Sequence, residues 1–189
     1  QVYLAWNANG STLYGMGQFD AAVAAYDKAL EINPQFYTAW HNRGAVLNAG
    51  LGRYEEAISS YEKVLEINPS FYHAWRDKGA ALAALSRYKD AIEAFDKALK
   101  IEPNDHKSWV SRGLALTELA RDEEALASFD KAITIYPLDA FAWMRRGVVL
   151  EYLQRNEDAL ASYDQAVEIQ PKFQPAIEAR SRLRSRLSR

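Results

Sequence analysis

The chain has 189 residues, of which 49% are hydrophobic and 25% are charged, as is usual for a folded, water-exposed protein. Its net charge is −2, but residues 1–171 carry −7 and the remainder +5, so the acidic main body argues against nucleic acid as the principal partner. Cysteine is absent, which excludes disulfides, thiolate metal sites and a cysteine nucleophile.

Tryptophan recurs at a nearly constant interval along the chain. The five tryptophans, separated by 34, 35, 34 and 34 residues, are Trp6, Trp40, Trp75, Trp109 and Trp143. A glycine follows each of them by four residues, at Gly10, Gly44, Gly79, Gly113 and Gly147. Repetition at this length is typical of proteins built from stacked supersecondary units. We therefore predict five copies of one structural unit.

Each tryptophan lies in a predicted first helix. In the third copy, the segment from Trp75 to Leu82 has the apolar spacing of one helix face. Gly79 lies in the middle of this helix, where glycine costs about 1 kcal/mol relative to alanine. We predict that a neighbouring backbone approaches closely there, and that it belongs to the second helix of the same unit at a small residue such as Ala91.

A short breaker and an amphipathic second helix complete each predicted unit. The breakers are residues 15–17, 50–52, 86–87, 120–121 and 154–155. The second helix of the first copy carries Ala22, Tyr26 and, beyond its end, Pro34, and the other copies repeat this pattern. Proline cannot continue a helix, so it ends the unit. The second copy has one extra residue near its breaker, which predicts a slightly longer first helix or turn.

A unit of this length with Trp, Gly, a small residue followed by an aromatic, and Pro resembles the tetratricopeptide repeat. The copies cover residues 3–36, 37–71, 72–105, 106–139 and 140–173. The resemblance implies an all-α fold, a right-handed α-solenoid of five helix–turn–helix units. In the last two copies Asp122 and Asn156 replace the aromatic residue that opens the second helix, and we expect them to act as N-caps.

The C-terminal segment, residues 174–189, departs from the repeat and is predicted to form a capping helix. Pro175 suits the first turn of a helix, and Ile177, Leu183 and Leu187 can share one face. A solenoid needs such a cap to cover its last repeat. For the arginines of this segment we favour a solvated helix face, and a patch for an acidic partner or a membrane surface is the alternative.

The resemblance also implies where a partner binds, because the concave face of tetratricopeptide domains is lined mainly by the first helices. The predicted partner-binding residues flank the tryptophans on the side away from the core: Asn7, His41, Asn42, Asn48, His73, Arg76, Asp77, Val110, Leu114, Phe141, Met144, Arg145 and Val148. Polar residues dominate the first three copies and apolar residues the last two, which would suit a peptide with a polar half and an apolar half. The alternative is that these side chains pack under neighbouring helices or face solvent.

A basic residue follows the tryptophan by three positions in four copies, at Arg43, Lys78, Arg112 and Arg146. Helical periodicity turns these side chains away from the predicted partner-binding residues. We predict that they form ion pairs with acidic residues of adjacent helices.

No motif for catalysis or cofactor binding is present. The chain has no phosphate-binding glycine loop, no zinc-protease motif and no nucleophile elbow, so we predict no enzymatic activity and no cofactor. His41, His73 and Asp77 could share one face, but such residues on a groove more often bind peptides than a metal.

These features predict a non-enzymatic scaffold that binds a peptide segment or a partner protein in its groove. A regulatory or self-assembly module of a larger protein is the alternative, since the chain has no initiator Met. No apolar run approaches the roughly 18 residues of a membrane span, and residues 1–6 show no signal peptide, so we expect no membrane span and, by default, a cytoplasmic location.

Overall fold

The computed structural model describes residues 1–188, and within this range it contains helices and no strand. Arg189, the last residue of the predicted capping segment, lies outside the described residues. The helices are α1 (Val2–Gly15), α2 (Phe19–Ile32), α3 (Tyr37–Ala45), α4 (Tyr54–Ile67), α5 (Tyr72–Ala84), α6 (Tyr88–Ile101), α7 (His106–Glu118), α8 (Asp122–Ile135), α9 (Ala140–Tyr152), α10 (Asn156–Ile169) and α11 (Gln174–Leu187). The predicted all-α fold is confirmed.

The helices form two compact units, one covering Gln1–Ile101 and the other beginning at Glu102. In the first unit, each helix from α1 to α6 packs against the next in chain order. In the second unit, α7 to α11 pack in the same consecutive way, and α9 also contacts α7 and α11. None of the helices in residues 1–188 combines the length and apolarity that a membrane crossing requires.

The glycine of each first helix packs against an aromatic ring of the following helix. A Cβ at Gly79 would lie 2.6 Å from the ring of Phe95, and Gly10, Gly44, Gly113 and Gly147 face Tyr26, Tyr61, Phe129 and Tyr163 in the same way. The prediction of a close approach from the second helix was right. The predicted contact with a small residue such as Ala91 was wrong, because the ring four residues later fills the space.

The indole N–H of each tryptophan after the first donates a hydrogen bond to a backbone carbonyl oxygen in the preceding turn. The indole Nε1 of Trp40 donates to the carbonyl oxygen of Pro34 at 2.9 Å. The same bond joins Trp75 to Pro69, Trp109 to Pro103 and Trp143 to Pro137, at 2.9–3.1 Å. A buried or half-buried indole N–H needs an acceptor, and here the proline turn that ends the preceding helix provides it.

Arg43, Lys78 and Arg146 form ion pairs with acidic residues of adjacent helices, as predicted. Arg43 donates through Nε to Asp27 of α2 at 2.7 Å and through Nη1 to Ser60 of α4 at 2.8 Å. Arg146 repeats both contacts with Asp130 and Ser162, each at 2.7 Å. These side chains therefore contribute to packing between helix pairs.

The extra residue of the second copy is accommodated in its first helix. After Ala45, the backbone of α3 continues as a π-helical turn over Val46–Gly50. A Cβ at Gly50 would lie 2.7 Å from the ring of Phe19, so glycine is needed where this widened turn meets α2. The predicted local lengthening is confirmed, and a π-turn is the usual form that a one-residue insertion takes in a helix.

A residue whose backbone adopts the left-handed region connects the two helices of each pair. It is Gly17 and Gly52 in the first two pairs, but Ser86, Ala120 and Gln154 in the others, with φ between 54° and 74°. Asp122 and Asn156 come two residues later and are the first residues of α8 and α10. Their predicted N-cap role is wrong, because the N-cap positions belong to Arg121 and Arg155.

Candidate functional site

The predicted polar residues of the first unit pair with one another across successive first helices. Asn42 of α3 donates through Nδ2 to Oδ1 of Asn7 on α1 at 3.1 Å. One step along the unit, Nε2 of His41 on α3 lies 2.9 Å from Oδ2 of Asp77 on α5. In both pairs the residue after one tryptophan meets the second residue after the next. These contacts form a polar ladder, which we define as Asn7, His41, Asn42, Arg76 and Asp77.

Asp77 is the charged centre of this ladder. Its Oδ1 accepts a hydrogen bond from Nε of Arg76 at 3.0 Å, and about a quarter of its side chain is exposed. Burial disfavours the charged carboxylate, but the hydrogen bond from His41 and the positive charge of Arg76 outweigh burial and lower the pKa of Asp77. The carboxylate is therefore held ionised by its neighbours.

Asn48 and His73 lie beside the ladder and take part in aromatic contacts. Burial raises the pKa of the Tyr61 hydroxyl, which the nearby Asp77 carboxylate also raises and a hydrogen bond with Asn48 lowers. The ring of His73 packs 3.9 Å from that of Tyr72 and 5.3 Å from that of Phe71, measured between centroids. Among the described residues, no three His, Cys, Asp or Glu side chains are grouped as metal ligands would be.

The predicted apolar strip of the second unit is less open than the sequence suggests. Met144 is buried, with 8% of its surface exposed, on the helix against which α11 packs. Val110 packs against the core cluster that contains Ala132 and Ala142. Leu114 is half-buried, and Phe141 is 41% exposed. For Met144 and Val110 the alternative interpretation, packing under neighbouring helices, describes the structure better.

Arg145 and Val148, the remaining predicted residues, line one cleft of about 530 Å³. The other residues that line this cleft are Thr117, Glu118, Ala120, Asp122 and Tyr152. Tyr152 is exposed and was not among the predicted residues, although it follows Arg145 by seven positions and so lies on the same face of α9. The structure therefore brings two of the predicted residues together and adds an aromatic side chain to them.

The arginines of α11 are paired inside the second unit. Arg182 and Arg186 contact the carboxylate of Glu151 on α9 at 2.9 and 3.2 Å. Arg180 and Arg184 contact Asp164 on α10 at 3.0 and 2.9 Å. These contacts join α11 to both helices of the preceding pair and leave fewer free charges for an acidic or membrane partner.

Glu151 also accepts a hydrogen bond from a buried tyrosine of the core. The hydroxyl of Tyr163 donates to Oε1 of Glu151 at 2.6 Å, while only 9% of the Glu151 side chain is exposed. Burial raises the pKa of Tyr163, and its hydrogen bond to the carboxylate raises it further. Glu151 therefore joins the core of this helix pair to α11 through Arg182 and Arg186.

Consecutive helix pairs, left-handed connecting residues and a shared Trp, Gly and Pro framework define a helical repeat protein. The family model for the tetratricopeptide repeat matches residues 7–70 and 45–106, and two further models of that description match residues 106–137 and 140–173. The chain belongs to the tetratricopeptide-repeat family.

Solved structures of this family are similar to the chain over most of its length. YrrB, described as a TPR protein with an unusual peptide-binding site, is 28% identical with a TM-score of 0.78, and the match covers 93% of this chain and 90% of YrrB. MamA is 23% identical with a TM-score of 0.81, covering 86% of this chain and 95% of MamA. The pilF protein of Pseudomonas aeruginosa is 18% identical with a TM-score of 0.84, covering 98% and 84%. No curated protein matches the chain in sequence.

Proposed function

We propose that this protein is a non-enzymatic scaffold that binds a peptide segment or partner protein along the exposed face of its first helices. The observation that supports the proposal is that repeated and unrepeated residues of those helices have different surroundings. The repeated Trp, Gly and basic residues are engaged in packing between helices. The unrepeated residues beside them face outward in part, and they differ from copy to copy.

The family and one similar structure support this function. The tetratricopeptide fold serves as a protein-interaction scaffold, and YrrB is described as having a peptide-binding site. The cleft beside Val148 is also concave and combines apolar with polar side chains, which is the usual make-up of a peptide pocket. Fold alone does not assign a function, whereas the side chains that line the cleft limit which ligands fit.

The test is selection of a displayed library of random peptides, about twelve residues long, on the immobilised full chain. We expect selected peptides to bind in solution and to lose at least about tenfold in affinity for Val148→Glu, because a carboxylate would enter the half-buried cleft wall. The matched control is Ala127→Glu, which places the same charge on the exposed surface of α8. Equal losses for both variants, or no selected peptide at all, would contradict the proposal.

Self-association is a second candidate, and α1 favours it. Val2, Leu4 and Trp6 are all exposed on this helix, although large apolar side chains are usually covered in a folded protein. A second copy of the chain could cover them.

A further inference from the structure

Arg145 differs from the other arginines between Arg112 and Arg186. Within the described residues no hydrogen bond or ion pair involves Arg145, and its Nε is buried without an acceptor. The other arginines from Arg112 to Arg186 each contact a carboxylate or a hydroxyl, as Arg146 and Arg155 illustrate. A buried donor on a charged group is costly to leave unpaired. Arg145 therefore has an unmet need for an acceptor.

The Arg145 side chain is half-buried and lines a site that a ligand can reach, although its Nε is itself closed to solvent. Arg145 lines the cleft of about 530 Å³ between the C-terminal end of α7 and one face of α9. Val148 and Tyr152 provide apolar surface in the same cleft, and Tyr152 is well exposed. A guanidinium beside apolar walls is a strong site for a carboxylate, because the low local dielectric strengthens a charge-assisted hydrogen bond.

Two carboxylates limit which acidic segments fit. Glu118 and Asp122 also line the cleft. They would repel a run of acidic residues and attract a basic residue beside a single acid. Charge complementarity therefore favours an isolated Asp or Glu with a Lys or Arg nearby.

We infer that the cleft of the second unit binds a peptide segment whose acidic side chain pairs with Arg145, with an apolar neighbour against Val148 and Tyr152. This inference rests on the proposed function and sharpens it. The polar ladder of the first unit is already paired internally, whereas the guanidinium of Arg145 has no ion-pair partner among the described residues. The partner is thus defined by chemistry, as a segment with one acid flanked by apolar and basic residues.

The peptides selected above provide the probe. Each is resynthesised with amidated C-terminus and with its Asp or Glu changed to Asn or Gln, and binding to the wild-type chain is measured by calorimetry. We expect the acidic peptide to bind at least about tenfold more tightly than its amide counterpart. For Arg145→Gln the two peptides should bind within about twofold of each other.

Lys131→Gln is the matched control, since it removes the same charge from the exposed surface of α8 and should retain the preference for the acid. The comparison of the two peptides on the wild-type chain stands even if Arg145→Gln folds poorly. Selected peptides that bind without preferring the acid would overturn the inference alone. A preference that survives Arg145→Gln in a folded variant would also overturn it, whereas the absence of any binding peptide would overturn the proposed function as well.

Discussion

At the scale of single residues, the repeat tolerates different side chains in one strained backbone conformation. Five connecting residues have positive φ, and only Gly17 and Gly52 are glycines. Ser86, Ala120 and Gln154 adopt the left-handed region despite their Cβ atoms. An L-residue in this region costs roughly 1–2 kcal/mol, so the later helix pairs carry strain that the first two avoid.

We predict that Ala120→Gly raises the free energy of unfolding by about 1 kcal/mol, because glycine adopts positive φ without the clash of a Cβ. Chemical denaturation followed by circular dichroism measures this change. Ala127→Gly makes the same substitution at an exposed position inside α8 and should lower the free energy of unfolding by about 1 kcal/mol. Destabilisation of similar size in both variants would show that the strain at Ala120 is negligible.

At the scale of helices, successive first helices of the first unit are joined by polar contacts as well as by apolar packing. The His41–Asp77 contact joins α3 to α5, while Asn7 and Asn42 join α1 to α3. Burial opposes the charged form of Asp77, but the hydrogen bond from His41 and the charge of Arg76 lower its pKa, so the folded state binds protons less readily than the unfolded state. The stability that Asp77 contributes is thus present above the ordinary aspartate value of 3.8 and is lost as the pH falls below it.

Asp77→Asn should lower the free energy of unfolding by about 1–3 kcal/mol at neutral pH, since a charged acceptor is replaced by a neutral amide. Its stability should also fall less steeply than that of the wild type as the pH is lowered from about 4. Urea unfolding at a series of pH values measures both effects. Glu55→Gln, on the exposed face of α4, should leave the pH dependence of the wild type intact. An Asp77→Asn profile parallel to that of the wild type would contradict this assignment.

At the scale of the whole molecule, the first and last described helices differ in how far their apolar side chains are covered. The Nε1 of Trp6 has no proline turn ahead of it, and 38% of Trp6 is exposed. Helix α11 instead buries Leu183 and ties its arginines to Glu151 and Asp164. Val2, Leu4 and Trp6 of α1 thus expose apolar surface.

We predict that the chain self-associates with rising concentration, and that Leu4→Glu shifts it towards the monomer because a charge would enter the apolar surface of α1. Light scattering coupled to gel filtration measures the mass. Leu138→Glu is the control, since Leu138 is 65% exposed in a turn outside α1. A monomer mass for the wild type at all concentrations, or equal effects of the two variants, would remove self-association as a function.

Much of the fold could be predicted from the chain because its determinants are local and repeated. Proline follows each second helix and separates the pairs, and a short breaker separates the two helices within each pair, so helix order follows from residue types at fixed spacing. The bridging role of Arg43 was also predictable, since helical periodicity directs it away from the partner-binding positions. The contact of Gly79 was assigned to the right helix but to the wrong side chain, because spacing does not reveal how far an aromatic ring such as Phe95 reaches.

The sequence by itself determined the family, the helix pairs and the set of residues that vary between copies, because these depend on periodicity and backbone propensity. Only the tertiary structure decided which of those varying residues are left exposed or unpaired and so can contact a partner. It buried Met144, paired Asp77 with His41 and left Arg145 without an acceptor. The physical reason is that exposure and hydrogen bonding depend on neighbouring helices, which no single helix pattern specifies.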